Sequence, residues 1–99
     1  MITLNDLLTI IAVGKFTAKE RIIIKDRIGL NMEFSDEDLQ KELGFIYKKY
    51  NLQLLPQKEI IDKYGINKEK LLQIERKLLR ETGITRRKHM DILKMYLEQ

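Results

Sequence analysis

Residues 55–84 read LPQKEIIDKYGINKEKLLQIERKLLRETGI, and the apolar positions divide this stretch into two short helices joined by a tight turn. Gly65 marks the turn, because a residue without Cβ takes positive φ at little cost and ends a helix. Asn67 follows as the cap of the second helix, its side-chain oxygen accepting from a free backbone N–H near Lys70. Ile60 before the turn, and Leu71, Ile74 and Leu78 after it, recur at the three- and four-residue steps that share one helix face. Ile66 points into the pair, so the two helices are expected to close around Ile60, Ile66, Leu71 and Ile74. The pattern is that of a helix-turn-helix.

Outward from this elbow, the punctuation of the chain predicts further helices. Thr3 with Asp6, Thr17 with Glu20, and Ser35 with Asp38 have the spacing of helix-start caps, the hydroxyl accepting from the first turn and the acid favouring the positive end of the dipole. Ile2 with Leu7, Phe34 with Leu39, and Ile66 with Leu71 bracket caps as hydrophobic staples do. Gly14, Gly29, Gly65 and Gly83 fall where the apolar periodicity stops and read as left-handed terminators. Helices are therefore expected near 4–13, 18–28, 36–50, 57–64, 68–82 and 86–98, the third carried across Gly44 because Leu39, Leu43, Ile46, Tyr47 and Tyr50 keep one face. For residues 20–34 a short hairpin is the competing reading, since Ile22, Ile23 and Ile24 are β-branched and Leu30, Met32 and Phe34 alternate with polar residues. Pro56, the single proline, stands at the start of a helix, where its missing N–H does no harm. The expected fold is an all-α, compact bundle of about six short helices in one domain. Residues 1–54 support, 55–84 form the helix-turn-helix, and 85–99 add a C-terminal helix.

Composition narrows the function. A chain of 99 residues, 43% hydrophobic and 34% charged, suits a soluble helical domain and is too short for a two-domain enzyme. With no cysteine there is neither a disulfide framework nor a thiolate metal site, which fits a reducing cytosol. The longest mostly apolar run, Leu7 to Val13, is too short to span a bilayer, so no membrane is implied and the cytoplasm is expected. His89, the single histidine, follows Arg86, Arg87 and Lys88, whose charges oppose its protonation and suit a solvent-facing or phosphate-facing side chain better than a general base. Asp36, Glu37 and Asp38 form the acidic cluster, explained by the helix dipole without a metal. No phosphate loop, nucleophile elbow or metal-ligand spacing appears, so neither an enzyme nor a cofactor is expected.

The charge is distributed unevenly. Residues 1–50 carry eight Lys+Arg and eight Asp+Glu, whereas residues 51–99 carry eleven and seven, which places the whole excess of +4 in the half that holds the elbow. Such a surface can neutralise phosphates, although a solvated Lys-rich face is also ordinary in small proteins.

Leu55-Pro56-Gln57, Glu59-Ile60-Ile61 and Lys63-Tyr64-Gly65-Ile66-Asn67, followed by Leu71, Ile74, Leu78 and Gly83-Ile84, resemble the helix-turn-helix of bacterial GntR-type repressors. The likeness covers about thirty residues. It departs in lacking one residue after Gln57, in Ile61 where that family has a small alanine, and in Thr82 as an extra residue before Gly83. After Ile84, Thr85-Arg86-Arg87-Lys88 reads as a new helix start where the family forms a β-hairpin wing.

A helix-turn-helix places its second helix in the major groove of double-stranded DNA and its first across the backbone. Lys68, Glu69, Leu72, Gln73 and Arg76 then face the bases, with Gln73 suited to adenine, Lys68 or Arg76 to guanine, and Leu72 to a thymine methyl. Leu72 fits a subunit contact or the core equally well. Lys58, Lys70, Lys77, Arg80, Arg86, Arg87 and Lys88 are candidates for phosphate contacts, which position without reading sequence. Surplus aliphatics such as Ile10 and Ile22 suggest a homodimer. The expected function is a small sequence-specific DNA-binding protein, a transcriptional regulator or a phage or plasmid DNA-recognition accessory protein. The alternative is a helical adaptor or inhibitor that binds an acidic protein partner.

Overall fold

The computed structural model describes residues 2–85, 91, 93–95, 97 and 98. Its elements in chain order are α1 (Leu4–Val13), α2 (Ala18–Arg27), α3 (Asp36–Leu39), α4 (Leu43–Lys49), α5 (Gln57–Tyr64) and α6 (Lys68–Thr85). The fold is an all-α bundle, and the described residues form no strand beyond one isolated bridge. Residues 91, 93–95 and 97 are helical, within the expected C-terminal helix, while its start at 86–90 lies outside the described residues.

The caps form as their spacing predicts. The Asp6 amide donates to Thr3 Oγ1 at 3.1 Å and the Thr3 amide to Asp6 Oδ2 at 3.4 Å. Thr17 and Glu20 exchange the equivalent bonds at 3.1 and 2.9 Å. The Asp38 amide donates to Ser35 Oγ at 3.3 Å. Thr17 is exposed, so truncating it tests the cap without disturbing the core. Thr17→Ala is expected to lower stability by about 1 kcal/mol, read as a shifted urea midpoint at unchanged slope.

Three local expectations are overturned. The helix proposed for residues 36–50 is two helices, because residues 40–42 leave the helical path to pair with the N-terminal segment. The Leu4 amide donates to Lys41 O and the Leu43 amide to Ile2 O, each at 3.0 Å, and Thr3 bridges Glu42. Gly44 accordingly lies in the first turn of α4 rather than inside a long helix. Gly14 is extended, with φ −66°, and is not a left-handed stop; an added Cβ would meet the Phe16 ring at 2.5 Å and Ile10 O at 2.7 Å. Gly83 ends nothing, for α6 runs through it to Thr85. α6 packs against α1 and α2, and beside Gly83 the buried Thr82 hydroxyl donates to Leu78 O, one turn back on the same helix, at 2.8 Å.

The competing hairpin at 20–34 is absent. α2 ends near Gly29, which has φ +75° and sits so close to Gln53 O that a Cβ would lie 2.8 Å from it.

The core joins the supporting helices to the elbow. Leu4, Leu7, Ile11, Ile23, Ile28, Leu43, Ile46, Ile60, Leu71, Ile74 and Leu78 form one buried cluster. Ile10 belongs to it at 2% exposure, so it is core and not the dimer residue expected from its surplus, whereas Ile22 is 57% exposed. α2 packs on both α5 and α6, and α5 on α6, so these three helices make a triangular unit that α1 flanks through α6.

Candidate nucleic-acid interface

The bend between α5 and α6 forms from the residues that predicted it. Gly65 has φ 63° and ψ 34°, and its N–H donates to Ile61 O, as does that of Ile66 at 3.2 Å. Nothing lies within 4 Å of where a Cβ would stand, so glycine serves the backbone angle here and not a close approach. Asn67 Oδ1 then accepts from the Lys70 amide at 2.7 Å and starts α6. Ile60, Leu71 and Ile74 are fully buried across the bend, and Ile66 is half-buried beside them.

α2 braces this elbow through three charged side chains. Arg27, 4% exposed, donates from Nε to Glu75 Oε1 at 2.9 Å and from Nη1 to Leu55 O at 2.8 Å, tying α2 to α6 and to the segment before α5. The Gln57 amide donates to the other Glu75 oxygen at 3.3 Å. Asp26 accepts from Lys63 at 2.6 Å, Tyr64 at 2.7 Å and Asn31 at 2.9 Å, which fastens the end of α5 beside the bend. Glu20 accepts from Lys77 at 3.1 Å and ties α2 to the middle of α6.

None of these three was singled out as functional from the sequence. For two of them the signal was present: Glu20, Ile23, Ile24 and Arg27 fall on one face at i, i+3, i+4 and i+7, so two charges share the apolar stripe and require partners when it is buried.

The brace is electrostatically asymmetric in pH. At Asp26 burial opposes the charged form, but hydrogen bonds from Lys63 and Tyr64 outweigh it and hold the carboxyl below its usual range. Glu20 is held low chiefly by the Thr17 backbone N–H, with Lys77 adding to it against burial. Beyond the elbow, Lys49 and Tyr50 lower Asp38 in the same way. A carboxyl depressed in the folded state contributes stability above its unfolded pKa, and that contribution fades as pH falls through the folded value. The melting temperature is therefore expected to be flat near neutrality and to fall below about pH 4, with a shallower acid limb in Asp26→Asn.

The candidate contact residues are distributed unequally. Glu69, Gln73, Arg76 and Arg80 are exposed and recur on successive turns of one outer face of α6, opposite Leu71, Ile74 and Leu78. Lys68, Lys70 and Lys58 are also exposed near the bend and on α5. Leu72 is half-buried and lines a groove with Leu54, Leu79 and Leu97, to one side of that outer face. Lys77 is partly covered; its ammonium is paired with Glu20 and stands 5.6 Å from the Phe16 ring centroid, so it acts within the bundle rather than as a free phosphate contact. Arg86, Arg87 and Lys88 lie outside the described residues.

Among the described residues, no helix is long and apolar enough to cross a membrane, and no group of three His, Cys, Asp or Glu is placed to hold a metal ion. Comparison of the chain with protein-family models, with curated proteins and with solved structures finds no match, so the likeness of residues 55–84 to GntR-type repressors rests on the motif residues themselves.

Proposed function

We propose that this chain is a small sequence-specific DNA-binding protein, acting in the cytoplasm as a transcriptional regulator or as a DNA-recognition accessory of a phage or plasmid. One observation carries the reading: the α5–Gly65–α6 elbow is braced from behind by α2, which leaves Glu69, Gln73, Arg76 and Arg80 on the open side of α6. A rigid elbow matters because base edges are read by side chains held in register with the groove. Gln73 has the donor–acceptor pair that matches adenine, and Arg76 or Lys68 the donors that match guanine. Arg80, Lys70 and Lys58 supply phosphate contacts around them. Binding as a two-fold homodimer doubles the short sequence that one such helix reads, and Ile22 is one exposed aliphatic available to that contact.

The test is selection of bound sequences from random duplex DNA at physiological salt. An enriched motif is expected, two-fold symmetric if the homodimer forms. Replacing Lys68, Gln73 and Arg76 together by alanine is expected to erase the preference, since each paired base contact discriminates by about 1–3 kcal/mol. Lys58→Ala is expected to weaken binding to all sequences alike and to reduce the salt slope by about one. Duplex DNA that fails to bind, or binds with no enriched sequence, would overturn the reading in favour of a helical adaptor.

A further inference from the structure

A groove of about 740 Å³ runs between α6, the segment before α5 and the described part of the C-terminal helix. Its apolar lining is made by the half-buried Leu54, Leu72, Leu79 and Leu97. That volume falls within the roughly 300–1,000 Å³ typical of small-molecule sites, which combine apolar walls with a few placed polar groups.

The polar groups in this groove are unequally spent. Glu75 at its floor is already engaged on both oxygens, by Arg27 and by Gln57. Arg27 uses Nε on Glu75, Nη1 on Leu55 O and Nη2 on Leu97 O, the last at a long 3.4 Å. A guanidinium has five N–H groups, so two of its donors are left without a protein acceptor among the described residues. Arg76 and Lys94 stand at the rim as exposed cations against the single carboxylate of Glu98. The unused capacity is thus mainly donor capacity, beside an apolar wall.

We propose that this groove binds a small amphipathic carboxylate, its apolar body against Leu72, Leu79 and Leu97 and its anionic group toward Arg27, Arg76 and Lys94. A carboxylate matches guanidinium geometry and takes up charge-assisted bonds that a neutral group cannot. Occupancy also bears on the outer face of α6, because Arg76 belongs to both surfaces. This second step rests on the DNA-reading proposal: a carboxylate that holds Arg76 withdraws it from a base, and by linkage DNA expels the carboxylate to the same degree.

Naphthalene-2-carboxylate and its neutral carboxamide, titrated into the full chain without DNA and followed by calorimetry and NMR, separate the claims. The carboxylate is expected to bind about tenfold more tightly than the carboxamide, with shifts centred on Leu72, Leu79 and Leu97. Arg76→Gln is expected to remove much of that preference, and Leu79→Glu to abolish carboxylate binding while circular dichroism shows the fold retained. No binding, equal binding of the two compounds, or full carboxylate affinity in Leu79→Glu would overturn the site. Should Leu79→Glu fail to fold, Arg76→Gln decides: an unchanged preference overturns the site. With a selected duplex present, saturating carboxylate is expected to weaken DNA binding about fivefold or more. Carboxylate binding that leaves DNA affinity unchanged would overturn the coupling alone, and failure of DNA binding would leave the carboxylate site standing.

Discussion

Arg27→Met is expected to destabilise the protein by about 3–5 kcal/mol, because it strands the Glu75 carboxylate at 8% exposure without its cation. Against a total stability of about 5–15 kcal/mol for a domain, this brings the chain close to unfolding. The loss is a desolvation cost more than a lost attraction. A buried ion pair contributes little net stability relative to apolar residues of similar volume, whereas one uncompensated charge costs much. The double variant Arg27→Met with Glu75→Leu is therefore expected to recover most of the loss. Recovery should be incomplete, because Leu55 O lacks its Arg27 donor in both variants and the Gln57 side-chain amide also loses its Glu75 acceptor in the double one. Equilibrium denaturation of the two variants measures this directly. A single-variant cost below about 1 kcal/mol would mean that the pair behaves as an exposed one and does not brace α2 against α6.

Ile60→Ala is expected to cost about 2–5 kcal/mol, the range for a large aliphatic removed from a packed interior. Ile60 is fully buried between α5 and the helices it meets, so its loss leaves a cavity inside the elbow itself. Gly65→Ala, five residues away, is expected to cost only about 1–2 kcal/mol. Its Cβ would have free space, and the cost is the left-handed backbone alone. Urea unfolding of both variants separates the two mechanisms. Equal costs would mean that the bend is held by its backbone angle as much as by the apolar side chains beneath it. Loss of DNA sequence preference in Ile60→Ala at a temperature where it remains folded would further tie the angle of the elbow to reading.

The division between what could be read early and what could not follows the range of the interactions. Thr3, Thr17, Ser35 and Asn67 capped the helices they were expected to cap, since such bonds close over three residues and involve nothing else. Gly65 turned left-handed for the same reason, and the spacing of Ile60, Leu71 and Ile74 placed them inside. The failures lie where a distant segment competed with local preference. Leu39 and Leu43 keep the apolar face of a continuous helix across residues 40–42, yet the backbone there pairs with residues 2–4, nearly forty positions away. Gly83 has the place of a stop, but α6, which packs on α1 and α2, continues through it to Thr85. Lys77 read as a free cation until Glu20, on another helix, was placed beside it.

The capped starts of α1, α2, α3 and α6 and the bend that makes the elbow were determined by the amino-acid sequence alone, because each depends on residues within a turn of one another. Tertiary structure alone decided which partner each charge meets: only the packing of α2 against α5 and α6 brings Arg27 to Glu75, Asp26 to Lys63 and Lys77 to Glu20. The physical reason is that a charge is indifferent to its surroundings until burial removes its water, and burial is a property of the assembled helices.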